Sequence, residues 1–95
     1  MDIGYVYILT NDRLSVLYVG STSDLRKRLV HHKRRLIPGF TKRYNVHRLV
    51  YFERLPDMDA ARKRERHLKG LSRAKKDALV RATNPGRDDR FDELL

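Results

Sequence analysis

Glu65 is the only acidic residue between Ala60 and Gly70, a stretch that also holds Arg62, Lys63, Arg64, Arg66 and Lys69. It lies four residues after Ala61 and three before Leu68. On a helix that spacing puts it on the inward stripe, while the neighbouring arginines point elsewhere. An inward carboxylate needs a cation or a metal beside it. One reading is a salt bridge to an arginine that holds the helix down. The other is a divalent-ion ligand beside a phosphate-binding surface: the cations attract a phosphodiester and the lone acid gives the metal a place to sit. A second group lies upstream. Tyr18 and Gly20 end a strand-like run, and Arg28 and His32 stand four apart, so they share one helix face. Taken singly, Tyr18 fits a core position and His32 a surface one. Taken in order, with an isolated glutamate on a later helix, they read as a site.

The charge around these residues points the same way. The 95-residue chain has 22 Lys+Arg against 12 Asp+Glu, a formal net charge of +10. Nine cations lie between Ser23 and Arg48 against one acid, Asp24, and nine between Ala60 and Arg81 against Glu65 and Asp77. After Pro85 the sign reverses, with Asp88, Asp89, Asp92 and Glu93. Two blocks thus carry the surplus, which calls for a polyanionic partner, nucleic acid before membrane. The length suits one domain, and a chain this short buries roughly 60–65% of its unfolded surface. No apolar run approaches the ~18–20 residues of a membrane span. Met1 to Gly4 shows no secretory signal. Absence of cysteine excludes disulfides and thiolate metal sites. A cytoplasmic location is the expectation.

The elements that must position these residues follow from local patterns. Ile3–Thr10 is β-branched and aromatic and reads as a strand, with a turn at Asn11-Asp12-Arg13 and a second strand over Ser15–Gly20. Ser21-Thr22-Ser23-Asp24 offers capping groups for a helix whose apolar stripe is Leu25, Leu29 and Leu36, and which stops before Pro38-Gly39. Phe40–Asn45 reads as a basic loop. Arg48–Leu55 is the third strand, with Leu49 and Tyr51 on one face and Val50 and Phe52 on the other. Asp57 caps a helix over Met58–Lys69, Gly70 stands at its C′ position, and Ser72 caps a last helix to about Thr83. The expectation is one α+β domain over residues 1–95, a three-stranded antiparallel sheet flanked by helices in the order ββαβαα. Its core runs from about 4 to 84 and an irregular acidic tail occupies 85–95.

The chain resembles the GIY-YIG nuclease superfamily. Gly4-Tyr5-Val6-Tyr7-Ile8-Leu9 and Leu17-Tyr18-Val19-Gly20-Ser21-Thr22 stand for the two halves of the signature. The basic helix Asp24–Lys33 follows, then the loop Gly39–Val46, Leu49–Glu53, the helix Ala61–Lys69 and Asn84-Pro85. More narrowly it is similar to the small stand-alone, excinuclease-like members of the UPF0213 type. Val6 and Val19 replace isoleucines of the family name, a conservative change in strand packing.

The resemblance implies metal-dependent hydrolysis of a nucleic-acid phosphodiester. Glu65 would hold Mg²⁺ or Mn²⁺ as the single protein ligand, with water and phosphate completing the shell. Arg28 would contact the scissile phosphate. Tyr18, or with less reason Tyr7, would position or deprotonate the attacking water, and His32 would relay that proton or bond the phosphate. Gly20 would let the backbone approach the substrate. Lys33, Lys42 and Arg43 would contact phosphates, and Asn84 would hold the last helix end against the site. Phe40 and Tyr44 interleave with the cations, where an exposed ring can stack on an unpaired base. The implied partner is DNA, branched or single-stranded forms included, ahead of RNA and not a membrane. With no room for an added DNA-binding domain, selectivity would come from the domain itself or from a homodimer. The alternative is a nucleic-acid-binding module with the same fold and weak turnover.

Overall fold

The computed structural model describes residues 3–94. Its strands are β1 (Gly4–Thr10), β2 (Leu17–Thr22) and β3 (Arg48–Leu55). Its helices are α1 (Leu25–Lys33), α2 (Phe40–Arg43), α3 (Met58–Lys69) and α4 (Arg73–Thr83), followed by a 3₁₀ turn at Phe91–Leu94. The sheet is antiparallel throughout, in the order β2-β1-β3. This is the α+β arrangement expected from the sequence.

β1 occupies the centre because both of its faces are apolar. Val6 and Ile8 pack with Val19, Val50, Tyr51, Leu68 and Val80 under α3 and α4. Tyr7 and Leu9 pack with Leu25, Leu29, Val46 and Leu49 under α1. The period-2 alternation of a strand thus feeds two cores on opposite sides of one sheet.

Several local expectations are corrected. β2 begins and ends two residues later than its β-branched pattern suggested. The Asn11 side chain accepts from the Ser15 and Val16 amides, so those residues belong to the turn. α1 stops at Lys33, not near Pro38. Arg35 adopts φ 56°, the Leu36 amide donates to the His31 carbonyl and the Arg35 amide to that of His32, a Schellman closure. Leu36 therefore leaves the helix and is exposed, and His32 takes the buried position on the stripe beside Leu25 and Leu29. The basic loop contains α2, entered through Gly39 at φ 103°. Gly70 closes α3 in the right-handed region, φ −79°.

The faces of β3 also differ from simple alternation. Ile8 pairs with Tyr51 and Leu9 with Leu49, so Val50 is a bulge. The extra residue puts Val50 and Tyr51 in the α3/α4 core and returns Leu49 and Phe52 to the α1 side. The Val50 carbonyl receives the Asn84 side-chain amide at 3.1 Å. Asn84 also bonds the Asp88 backbone on both its amide and carbonyl.

The tail is docked. Asp89 accepts from the Leu49 amide at 3.1 Å, the Phe91 amide at 3.0 Å and the Lys33 ammonium at 2.6 Å. The Arg90 amide donates to the Leu49 carbonyl at 2.8 Å, which covers the free edge of β3 at that residue.

Candidate functional site

The strand pairing builds the first half of the site. Tyr7 stands opposite Gly20, and Leu9 opposite Tyr18. A Cβ at position 20 would lie 2.6 Å from the Tyr7 hydroxyl oxygen, so Gly20 makes room for that phenol. The space expected to admit a substrate is filled by Tyr7. α1 supplies the second half. The Tyr7 hydroxyl bonds His32 Nε2 at 3.3 Å, and His32 Nδ1 bonds the Thr41 hydroxyl at 3.1 Å. The Tyr7, Tyr18 and His32 rings form a triangle with centroids 5.8–6.3 Å apart.

Burial sets the protonation of this group. Tyr7 is 1% exposed, and burial, with Tyr18 next in size, pushes its phenol well above the usual range. His32 is 4% exposed; burial first, then Arg28 and His31, bring it down to about 4. Near neutral pH both groups are uncharged. Either neutral tautomer of His32 satisfies both bonds, because each partner is a hydroxyl that can donate or accept.

Arg28 sits one turn before His32 on α1 and faces an open groove of about 470 Å³ lined by Thr22, Ser23, Asp24, Lys27 and His31. Glu65 reaches the site from α3. Its carboxylate receives the Ser21 hydroxyl and, at 2.5 Å, the Lys69 ammonium four residues on. Partial burial raises its pKa, but the bonds from Lys69 and Ser21 outweigh that and hold the carboxyl below the usual range. The salt bridge open on sequence grounds is therefore made to a lysine. Ser21 of β2 bonds Glu65 of α3, and the rings of Tyr18 and His32 pack against Tyr7, so β1, β2, α1 and α3 meet here.

Two other candidates lie elsewhere. Lys33 is tied to Asp89 and to the His47 carbonyl and packs over the Phe91 ring, so its charge faces the tail. Asn84 is 6% exposed, with its amide committed to Val50 and Asp88, and it joins α4 to β3. Asn84 is buried away from any substrate, whereas Lys33 is partly exposed and engaged by the tail. Lys42 and Arg43 are exposed on α2, beside Tyr18 through Phe40. Ser21, Thr41 and Lys69 belong to the site and were not singled out. Ser21 follows Gly20 directly and Lys69 stands at i+4 from Glu65, both readable signals; Thr41 has none in the sequence.

The metal-binding chemistry of the site is narrow. Among the described residues no cluster of three His, Cys, Asp or Glu side chains is placed to hold an ion. Glu65 is a single carboxylate whose lysine partner is half in solvent. That donor set fits a hard cation that keeps most of its water, and it does not fit a structural zinc.

The GIY-YIG catalytic domain matches residues 3–77. A UPF0213 protein of Natronomonas pharaonis is 37% identical over 76 residues, 80% of this chain and 88% of that protein. A UPF0213 protein of Syntrophus aciditrophicus is 36% identical over 89 residues, 92% of this chain and 99% of that one. The solution NMR structure of a UPF0213 protein from Bacillus halodurans shares 31% identity, covers 92% of each chain and superposes with a TM-score of 0.57. The chain is thus a member of the GIY-YIG nuclease-like family, of the UPF0213 type.

Proposed function

We propose that this protein is a metal-dependent endonuclease that hydrolyses phosphodiester bonds of DNA in the cytoplasm. The observation that carries this reading is the packing of Tyr7, Tyr18 and His32 together, with Arg28 one turn before His32 on α1 and Glu65 of α3 bonded to Ser21 of β2, in a chain of net charge +10. Such a site has a cation for the phosphate, a carboxylate for a metal and phenols for the attacking water.

Arg28 holds the scissile phosphate in the groove at the start of α1 and stabilises the charge that grows on it. Tyr18, half-buried at the site, is the group that orients the attacking water and, in its phenolate form, would take its proton. Tyr7 is kept neutral by burial, so it serves as a fixed hydroxyl rather than a base. His32, neutral as well, holds that hydroxyl in place and does not act as a phosphate-binding cation. Glu65 would hold Mg²⁺ or Mn²⁺, with Ser21 fixing one carboxylate oxygen and Lys69 yielding the other. A bound divalent ion supplies Lewis acidity and charge neutralisation at the phosphate. Lys42 and Arg43 position the strand through its phosphates.

The test is cleavage of plasmid, single-stranded and branched DNA with Mg²⁺, Mn²⁺ or EDTA. Arg28→Ala and Glu65→Ala should each lose about 10²-fold or more in cleavage rate. Wild-type protein that binds these DNAs and never cuts them would establish the binding module instead.

A further inference from the structure

The large apolar side chains most open to solvent among the described residues are Leu36, Phe40 and Tyr44, at 61%, 44% and 45% exposure. All three fall within residues 36–44. The remaining described aromatic residues are buried or half-buried. Free aromatic faces are costly to leave in water, and here they are concentrated beside the candidate active site.

Their arrangement is ordered. Phe40 stacks on Tyr18 at 6.3 Å between centroids with 21° between planes, and the Tyr44 ring lies 4.8 Å from Phe40, tilted by 44°. The ladder begins at Tyr18 and runs outwards along α2. Phe40 borders two hollows. One, of about 220 Å³, is shared with Tyr18, Lys69 and Lys76. The other, of about 770 Å³, is shared with Tyr44, Arg35, Lys42 and Arg43. Every charged side chain lining either hollow is cationic. The Arg43 guanidinium lies 5.5 Å from the Tyr44 ring centre.

We infer that the Tyr18–Phe40–Tyr44 ladder is a base-stacking subsite for unpaired nucleotides of single-stranded DNA lying next to the cleaved bond. This rests on the nuclease reading for what happens at the neighbouring site. A base in a duplex has both faces covered by its neighbours, so it cannot use these rings. An unpaired base can stack on Phe40 or Tyr44 while its phosphates meet Lys42, Arg43 and Lys76. The substrate class is therefore DNA with unpaired bases beside the cut, such as flaps, gaps and junction arms. A second copy of this chain suits the patch poorly, because it would bring its own Arg35, Lys42 and Arg43 against these cations.

The test is a binding measurement in EDTA, so that no cleavage is required. Fluorescence anisotropy would compare an oligothymidylate with a blunt duplex of equal length for wild type, Phe40→Leu, Phe40→Trp and Tyr44→Leu. Leucine keeps apolar bulk and removes the π face. Each leucine variant should bind the single strand about tenfold more weakly and the duplex within about twofold of wild type, while Phe40→Trp keeps or tightens binding. Melting temperatures close to wild type would show that the fold survives, as the exposure of both residues leads one to expect. Equal losses on both DNAs, no loss on either, or a changed oligomeric state with unchanged DNA binding would overturn the subsite. Tighter binding of an oligouridylate than of the DNA, with the same losses, would overturn its assignment to DNA. The two readings fail separately. A wild type that never cuts DNA but shows the single-strand-selective loss removes the nuclease and leaves the subsite. A nuclease whose Phe40 and Tyr44 variants bind like wild type does the reverse.

Discussion

The hydroxyl of Tyr7 fills the space that a side chain at position 20 would occupy. A Cβ there would meet Tyr7 Oη at 2.6 Å and Cζ at 2.7 Å. Tyr7 and Gly20 face each other across the β1–β2 ladder, so neither can move without opening the strand pair. Gly20 is thus a spatial condition for the Tyr7–His32 contact.

Gly20→Ala should displace the phenol and break that contact. Overpacking of this kind costs about 1–3 kcal/mol, a fall of several degrees in melting temperature for a domain of this size, and cleavage should drop with it. In a Tyr7→Ala background only the edge of the Tyr18 ring, 3.0 Å away, still crowds the added methyl, so its penalty should shrink. A double-mutant cycle by thermal melting checks this, and additive penalties would contradict the packing described.

His32 sets a pH dependence with a definite sign. Folding lowers its pKa from 6.5 to about 4, so between those values the unfolded chain binds the extra proton and the folded one does not. Its contribution to stability is complete above pH 6.5 and is lost as pH falls towards 4, on the order of 3 kcal/mol in all. His32→Gln should flatten this part of the stability profile. NMR titration of the His32 ring gives the direct check; an imidazole that protonates near pH 6.5 in the folded protein would rule the account out.

Asp89 anchors the tail through Leu49, Phe91 and Lys33. Burial raises its pKa, but the bond from Lys33 and the two backbone amides outweigh that and lower it. It therefore stabilises the fold above its ordinary value of 3.8, and that contribution is lost as pH falls through its lower folded pKa. Asp89→Ala leaves the Leu49 amide without its partner, at about 1–3 kcal/mol. Hydrogen exchange at Leu49 should accelerate by more than tenfold. Unchanged protection there would mean that the tail does not hold the β3 edge.

The order of elements was legible because each boundary carries its own chemistry. Asp24, Asp57 and Ser72 cap the three long helices, each accepting from a backbone amide three residues on. The nearness of Tyr18 to His32 was legible from spacing together with family resemblance. The bulge at Val50 was not, since it depends on which residues of β1 oppose β3 and on Asn84 arriving from far along the chain to bond the Val50 carbonyl. The role of Gly20 was misread for a related reason: a missing side chain looks the same in a sequence whether substrate or Tyr7 fills the space. Lys33 looked like one more phosphate-facing cation because its partner, Asp89, lies in a segment with no periodic pattern. Taken singly His32 looked like a surface residue because a polar side chain on an apolar stripe does not announce its partners, Tyr7 and Thr41, which come from β1 and α2; the Schellman closure at Arg35 is not announced by a glycine.

The most direct test of the central claim compares wild type with Glu65→Gln on one DNA substrate, under saturating protein and a single turnover, in Mg²⁺, Mn²⁺ and EDTA. Glutamine keeps the shape and can still meet Ser21, but it removes the charge a divalent ion requires. Wild type should cut with either metal and not in EDTA. Glu65→Gln should bind the DNA at least as tightly, having lost a negative charge, and cut it about 10²-fold more slowly or worse. Equal cleavage by the two proteins would show that Glu65 is not the catalytic metal ligand and would contradict the account.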